Sequence, residues 1–139
     1  MSLNDEERTI MVEFEIEKAK KLIEQFSVLQ EANLWDTLAN RMYYAVFHAV
    51  SALLIQNGLH AATHQGVFIL LNKHFIKEKL IDDKFSRLYA RLQTMREKSD
   101  YTCLFETTEE EIIPMIEPTK EMISIIESLL KESNTKQFH

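Results

Sequence analysis

The scarcity of chain breakers constrains the fold of this sequence more than any other feature does. Its 139 residues include only two glycines and two prolines, whereas average usage would give roughly 17 of the two types together. Turns and loops depend on these residue types, so few loops are expected. No run alternates apolar and polar side chains over more than a few positions, which argues against strands. We therefore predict an all-α fold, an up-and-down antiparallel bundle of four to five helices.

Apolar side chains at helical spacing outline the helices. The first two cover about 10–29 and 34–55, and the second is apolar around most of its circumference and ends at Asn57-Gly58. Thr63 is a suitable N-cap for a third helix that extends through Phe75, and Asp82 is a suitable N-cap for a fourth that reaches about 101–103. These boundaries place the middle of the chain in three consecutive helices.

The last helix carries the two prolines. Thr108 and Glu111 have the spacing of a capping box, but Pro114 and Pro118 follow within the same apolar periodicity. A proline inside a helix loses a hydrogen bond and clashes with the preceding turn. Either the helix is kinked there, or a short turn precedes a helix that begins near Pro114, and we favour the kink.

Length and composition favour one domain without a membrane span. The apolar content is 45%, and we place a single helical domain at 1–132, followed by a polar tail at 133–139 that frays. No stretch approaches the roughly 20 apolar residues of a membrane span, and the first residues are acidic, so a cytoplasmic location is expected. The lone cysteine, Cys103, excludes an internal disulfide and is interpreted as a core residue.

The net charge of −6 hides a basic segment. Between Lys73 and Lys98 there are eight basic and four acidic residues, so this segment carries +4 and the rest of the chain −10. Arg87 and Arg91 share one face of the fourth helix, and Arg96 lies partly around it. A ligand that carries phosphate would find its donors here, and the alternative is an ordinary solvated helix face.

A polar stripe interrupts the second helix. Arg41, Tyr44 and His48 are spaced to lie on one face over two turns. Buried arginine and histidine side chains need partners, which suggests a site. The alternative is that Arg41 stands near the exposed start of the helix and that His48 is a hydrogen-bonded core residue.

The remaining histidines do not predict a metal centre. His60 and His64 are four residues apart but lie in a connection, and no acidic third ligand is near. His64 opens the third helix, where the helix dipole would keep it neutral, so a packing or anion-contact role is expected. The sequence has no glycine-rich phosphate loop, and we expect neither a metal nor another cofactor.

Three segments match, in order, motifs of one family of helical domains. They are Asn-Arg-Met-Tyr-Tyr-Ala-Val-Phe-His-Ala at 40–49, Thr-His-Gln-Gly-Val at 63–67 and Arg-Glu-Lys-Ser-Asp-Tyr at 96–101. On these residues the chain resembles the HEPN domains (higher eukaryote and prokaryote nucleotide-binding), from about Phe14 to Leu130. The resemblance implies the same bundle of four to five helices.

The resemblance also implies candidate functions. Many HEPN domains are ribonucleases that act as homodimers through an Arg-x(4–6)-His motif, whereas others bind nucleotides or accompany a minimal nucleotidyltransferase in a two-gene toxin-antitoxin system. Arg96 matches the motif arginine, but Tyr101, preceded by Asp100, stands where the shorter motif has histidine. Arg41 and His48 satisfy the bare pattern on a different helix.

The missing histidine favours binding over catalysis. Cleavage of RNA without a metal needs a group of near-neutral pKa, which histidine supplies and unperturbed tyrosine and aspartate do not. We therefore expect a homodimeric protein that binds a nucleotide or RNA phosphate and works with a nucleotidyltransferase partner. The alternatives are a ribonuclease toxin and a helical interaction module without a ligand. The candidate ligand-binding residues are Arg41, Tyr44, His64, Arg91 and Arg96, and the candidate catalytic residues are Arg96, Asp100, Tyr101 and His48.

Overall fold

The computed structural model describes residues 3–101 and 106–137. Within these ranges it contains five α-helices and no strand, which confirms the predicted all-α bundle. The helices are α1 (Asp5–Glu31), α2 (Trp35–Gln56), α3 (His64–Leu71), α4 (Asp83–Tyr101) and α5 (Glu109–Gln137).

Side-chain caps explain where several helices begin. The Thr63 hydroxyl accepts a hydrogen bond from the Gly66 N–H at 2.9 Å, and an Asp82 carboxylate oxygen accepts one from the Lys84 N–H, so both predicted N-caps are confirmed. At the start of α1, Asn4 and Glu7 form a reciprocal capping box that the sequence analysis did not identify. These bonds satisfy N–H groups that a helix cannot pair internally.

The connection after α2 follows the prediction, whereas the end of α3 differs from it. Gly58 adopts a φ of +71°, a left-handed conformation that terminates α2 as expected. The third helix was predicted to extend unchanged through Phe75, but it ends at Leu71 and continues as a π-helical turn at Asn72–Ile76. The wider turn still buries Phe75 and Ile76, so the apolar pattern that predicted a longer helix is satisfied by a different backbone.

Helix α2 is the centre of the bundle. It packs against all four other helices, and its contact with α1 is the most extensive. Among the described helices, α2 alone is long and apolar enough to cross a membrane by length and composition. Its most apolar stretch is 61% buried inside the bundle, as in the core helix of a bundle. A side-chain bond from Gln56 Nε2 to the carbonyl oxygen of Leu130 on α5, 3.1 Å long, helps to hold the two helices together.

The last helix passes through both prolines. It begins at Glu109, five residues before Pro114, so the alternative of a helix that starts near Pro114 is wrong. The Glu111 N–H bonds the Thr108 hydroxyl as in the predicted cap, while Pro118 also lies inside the helix. Whether the helix axis is kinked stays a prediction. The helix includes 133–137 of the predicted tail, and Cys103 lies outside the described residues.

Candidate functional site

Aromatic side chains of α2, the first residue of α3 and an arginine of α4 meet in one cluster. Tyr43 and Phe47 are four residues apart and therefore project from one face of α2. Both rings stack on the His64 ring of α3, with ring centroids 5.9 Å and 4.4 Å from it. Tyr44 meets His64 edge-on at 6.2 Å. The cap at Thr63, which begins α3, thus determines where the imidazole of His64 lies.

His64 is held as a neutral imidazole. Burial lowers its pKa below 6.5, and the neighbouring Arg96 and His48 lower the pKa further. The Tyr43 hydroxyl lies 2.6 Å from His64 Nδ1, and burial raises the pKa of Tyr43 to about 12. The phenol therefore keeps its proton and donates a hydrogen bond to Nδ1. The ring proton of neutral His64 is then on Nε2.

Beneath this pair lies a second buried phenol. The Tyr89 ring meets the Tyr43 ring edge-on at 5.9 Å, and its buried hydroxyl interacts with the Tyr43 hydroxyl, although the contact falls short of regular hydrogen-bond geometry. Burial raises the pKa of Tyr89. Both phenols are therefore uncharged at neutral pH, and the positive charge of Arg96 acts on Tyr43.

Arg96 lies over the tyrosine rings. The Cζ atom of its guanidinium is 5.6 Å from the Tyr43 ring centroid and 5.7 Å from that of Tyr44, within the range of a cation–π interaction. Its Nε lies 3.2 Å from a carboxylate oxygen of Asp100, one turn further along α4. The side chain is 24% exposed, and its two terminal nitrogens make no hydrogen bond to a described residue. The cation is thus held from below and from one edge.

His48 lies beside this cluster and is paired with a carboxylate from α1. Its Nδ1 is 2.6 Å from Glu15 Oε2, and each of the two side chains is 19% exposed. Because a carboxylate can only accept, Nδ1 carries the proton and Nε2 of neutral His48 presents a lone pair. The ring of His48 is 6.3 Å from that of Tyr44. No hydrogen bond joins His48 to Arg96 in the described part of the chain.

Other residues predicted for the site lie elsewhere. Arg41 is half-buried and bonds Gln25 on α1 and its neighbour Asn40, at 3.1 Å and 2.7 Å. Arg91 lines a separate groove against α5, because five residues place it about 140° around α4 from Arg96. Tyr101 is 87% exposed at the end of α4. The structure therefore brings together five of the predicted site residues: Tyr44, His48, His64, Arg96 and Asp100. In the described part of the chain, the other three, Arg41, Arg91 and Tyr101, make no hydrogen bond, ion pair or ring contact with them.

Three members of the cluster were not predicted. Tyr43 and Phe47 belong to the segment that carries the resemblance, and their spacing of four could have identified them as neighbours. Glu15 gives no such signal, because it is one of many glutamates on an amphipathic helix and pairs with a residue 33 positions away.

A groove opens next to the cluster. It has a volume of about 510 Å³ and lies between α1, α2 and the start of α3. Glu15, Phe47 and His64 line both the groove and the cluster, so the two are continuous. Among the described residues no group of three or more histidine, cysteine, aspartate or glutamate side chains is arranged to hold a metal ion.

Comparisons with known proteins match this architecture. The family model described as "HEPN domain" matches residues 12–129. A "UPF0332 protein" of Thermotoga maritima is 28% identical over 130 residues, which cover 94% of this chain and 97% of that protein. A Methanocaldococcus jannaschii protein named "Putative toxin MJ0605" is 32% identical over 117 residues, which cover 84% of this chain and 87% of that protein. The residues matched by the family model, 12–129, include every residue of the cluster.

Proposed function

The chain belongs to the HEPN domain family, and from that premise we propose that it binds the phosphate of a nucleotide or of RNA at the Arg96–His64 cluster. Family membership narrows the class of ligand but does not specify the site, which must be argued from local chemistry. The cluster offers two donors that are oriented by their neighbours and that bond no other described residue through the groups proposed to bind phosphate.

The terminal nitrogens of Arg96 carry this proposal. Its Nε is bonded to Asp100 and its face lies over two tyrosine rings, so the guanidinium is oriented while its Nη groups make no hydrogen bond to a described residue. A fixed guanidinium edge suits the oxygens of a phosphate, and bonds of this charge-assisted kind are short and strong. The Asp100 contact is half-exposed and involves one nitrogen, so it orients Arg96 without occupying that edge.

His64 supplies the second donor. With Nδ1 engaged by Tyr43, the N–H of the neutral ring is on Nε2. Burial and the positive charge of Arg96 both oppose protonation of His64, so it acts as a neutral hydrogen-bond donor. An arginine and a neutral histidine together position a phosphate without reading a base.

The test replaces Arg96 and compares it with an arginine outside the cluster. We expect Arg96→Ala to weaken binding of a short oligouridylate and of inorganic phosphate about tenfold or more, since the charged hydrogen bonds are lost. Arg91→Ala, on the far side of the same helix, removes the same charge and should change affinity by less than about twofold. Affinities are measured by calorimetric titration, and the oligomeric state by light scattering.

Two outcomes contradict the proposal. Equal losses in both variants would mean that α4 binds through its overall charge and that Arg91 is a ligand-binding residue after all. Unchanged affinity together with loss of the dimer in Arg96→Ala would support the interaction module, in which the arginine and tyrosine side chains form a subunit interface.

The proposal includes partners. We propose that the protein is a homodimer and works beside a minimal nucleotidyltransferase in a two-gene system. The name "Putative toxin" of its Methanocaldococcus relative supports such a pairing. A nucleotidyltransferase encoded next to this gene and retained with the protein through purification would support the paired system, whereas an unrelated neighbour and a lone protein would contradict it.

A second candidate, metal-independent cleavage of RNA, is favoured by the Glu15–His48 pair. A carboxylate on Nδ1 leaves Nε2 able to take the proton of a ribose 2′-hydroxyl as its oxygen attacks the adjacent phosphorus, while Arg96 stabilises the negative charge that develops on the phosphate. The bond from phosphorus to the 5′-oxygen then breaks, the protonated imidazole gives its proton to that oxygen, and a 2′,3′-cyclic phosphate remains. The pair thus offers an oriented imidazole as proton acceptor, which Tyr101 does not. If the protein cleaves RNA, His48→Asn abolishes cleavage, and Glu15→Gln slows it and alters its pH profile. Cleavage that survives His48→Asn would reject this assignment.

A further inference from the structure

The groove beside the cluster has the size and lining of a small-molecule site. Its volume of about 510 Å³ lies within the roughly 300–1,000 Å³ range of ligand pockets. Much of its wall is apolar, with Met11 from α1, Phe47 and Leu54 from α2, and Val67 from α3. A phosphate alone needs no such wall, whereas the flat, apolar faces of a nucleobase do.

A half-buried cation lies in the wall of the groove. Arg8 Nη1 donates to the carbonyl oxygen of Ile55 at 3.0 Å, and Nη2 donates to that of Leu3 at 3.3 Å. The side chain makes no ion pair with a carboxylate of the described residues. Two bonds use two of the five N–H donors of a guanidinium, so three remain available.

Gly58 makes room for this cation. A Cβ atom at position 58 would lie 3.2 Å from Arg8 Nη1, and the φ of +71° also disfavours any other residue there. The two carbonyl bonds hold the Arg8 guanidinium at this place. The Ile55 carbonyl to which it donates is eight residues along α2 from Phe47, about 12 Å at the rise of an α-helix. The groove thus has apolar walls with a fixed arginine toward one end and His64 toward the other.

We propose that this groove holds the base and ribose of the nucleotide whose phosphate binds Arg96 and His64, with an acceptor edge of the base directed toward Arg8. The inference rests on the proposed phosphate site and extends it. Guanine presents two adjacent acceptors, O6 and N7, on one edge, and a guanidinium pairs with both. The same groove receives a free nucleotide or one nucleotide of an RNA strand.

The experiment separates the base from the phosphate. Calorimetric titrations of the full chain use GMP, ribose 5-phosphate and inorganic phosphate. We expect GMP to bind about tenfold more tightly than ribose 5-phosphate, because its base adds apolar contact and hydrogen bonds. Ala62→Trp obstructs the groove from its exposed rim and should remove this advantage while affinity for inorganic phosphate is kept.

A matched control and a second variant keep the test decisive. Ala32→Trp makes the same substitution at an exposed position after α1, away from the groove, and should retain the full advantage of GMP. Ser51→Leu fills the groove from the α2 side and should repeat the effect of Ala62→Trp, with circular dichroism verifying the fold of each variant.

The outcomes distinguish this inference from the phosphate proposal. If GMP binds no better than ribose 5-phosphate, or keeps its advantage in both groove variants, the groove is not the base site, although the phosphate site stands. If none of the three ligands binds the unaltered protein, the phosphate proposal fails and the inference fails with it.

Discussion

His64 begins α3, and two physical effects act on its charge. The helix dipole at an N-terminus disfavours a cation, which is the reason for expecting a neutral side chain from the sequence. The structure confirms the lowered pKa but adds burial as its largest cause, followed by Arg96 and His48. The direction could be inferred from position 64 alone, whereas its main cause depends on rings supplied by another helix.

This lowered pKa makes stability depend on pH. Because folded His64 has a pKa below the unfolded value of 6.5, the unfolded chain binds more protons as the solution is acidified, and the folded state loses stability. We expect the stability difference between the wild-type protein and His64→Gln to shrink as pH falls from about 7.5 to about 5. Urea denaturation across this range measures it, and the other histidines cancel in the comparison. A difference independent of pH would contradict the lowered pKa.

Tyr43 offers a test of the buried hydrogen bond. Tyr43→Phe removes the donor to His64 Nδ1 and should lower the free energy of unfolding by about 1 kcal/mol or somewhat more, since a half-buried acceptor loses its partner. Tyr44→Phe is the matched control, because the Tyr44 hydroxyl makes no hydrogen bond to a described residue. This variant should have little effect on the free energy of unfolding. Equal losses in the two variants would assign the cost to ring packing rather than to the bond.

The Glu15–His48 pair contains one residue that spacing along a helix identifies and one that it does not. The spacing on α2 predicts that Tyr44 and His48 are neighbours, and their rings are close. Spacing within one helix contains no information about which residue of another helix lies opposite. Glu15 became identifiable only when the packing of α1 on α2 was known.

At the scale of the helices, local signals predicted most of the fold. Thr63, Asp82 and Gly58 each act through bonds or backbone angles within a few residues, and each occupies its expected place. The π-helical turn after α3 was not predictable in this way, because it depends on how Phe75 and Ile76 reach the core. Pro114 is also an exception, because proline favours the first turn of a helix, whereas α5 begins five residues before it.

The interior prolines leave α5 short of backbone hydrogen bonds. Pro114 has no N–H to donate to the carbonyl of Glu110, and an interior proline costs a helix about 3 kcal/mol. Pro114 is exposed, so its replacement sacrifices little packing. We expect Pro114→Ala to raise the free energy of unfolding by a net value of about 2 kcal/mol. The gain is smaller than the full cost of the proline, because the unfolded chain becomes more flexible without it, which lowers stability by up to about 1 kcal/mol.

Chemical denaturation of this variant measures the effect, and Pro118→Ala serves as the comparison. Both prolines line the groove between α4 and α5, but Pro118 is half-buried whereas Pro114 is exposed, so replacement of Pro118 removes more packing and should stabilise less. A destabilised Pro114→Ala would mean that the helix is shaped around this proline, as a kink would require.

At the scale of the whole molecule, charge is unevenly distributed. The chain carries −6 overall, while the basic residues of α4 are divided between two faces, with Arg96 in the cluster and Arg91 in the groove against α5. Sequence spacing placed Arg96 partly around the helix from Arg87 and Arg91, but Arg91 and Arg96 were still predicted to serve one ligand site. The structure divides it because the helix separates residues five apart.

This division predicts a weak dependence of RNA binding on salt. A site that neutralises one phosphate of a single strand gives a slope of about −0.7 in a plot of log affinity against log salt concentration. We expect a slope near this value for a short oligouridylate, unchanged in the Arg87→Ala/Arg91→Ala double variant. A slope several times steeper, reduced in the double variant, would mean that the RNA follows the outer face of α4.

The position of α2 at the centre has a consequence for when a newly made chain can act. The hairpin of α1 and α2 forms the most extensive helix contact in the bundle. Its segments are close in sequence and are synthesised before α3, α4 and α5, so we expect it to form early. The hairpin contains Glu15, Phe47 and His48 but neither His64 nor Arg96. A partly synthesised chain therefore holds Phe47 and His48 without Arg96, and we expect binding at the proposed phosphate site to require that α4 has been made and has docked.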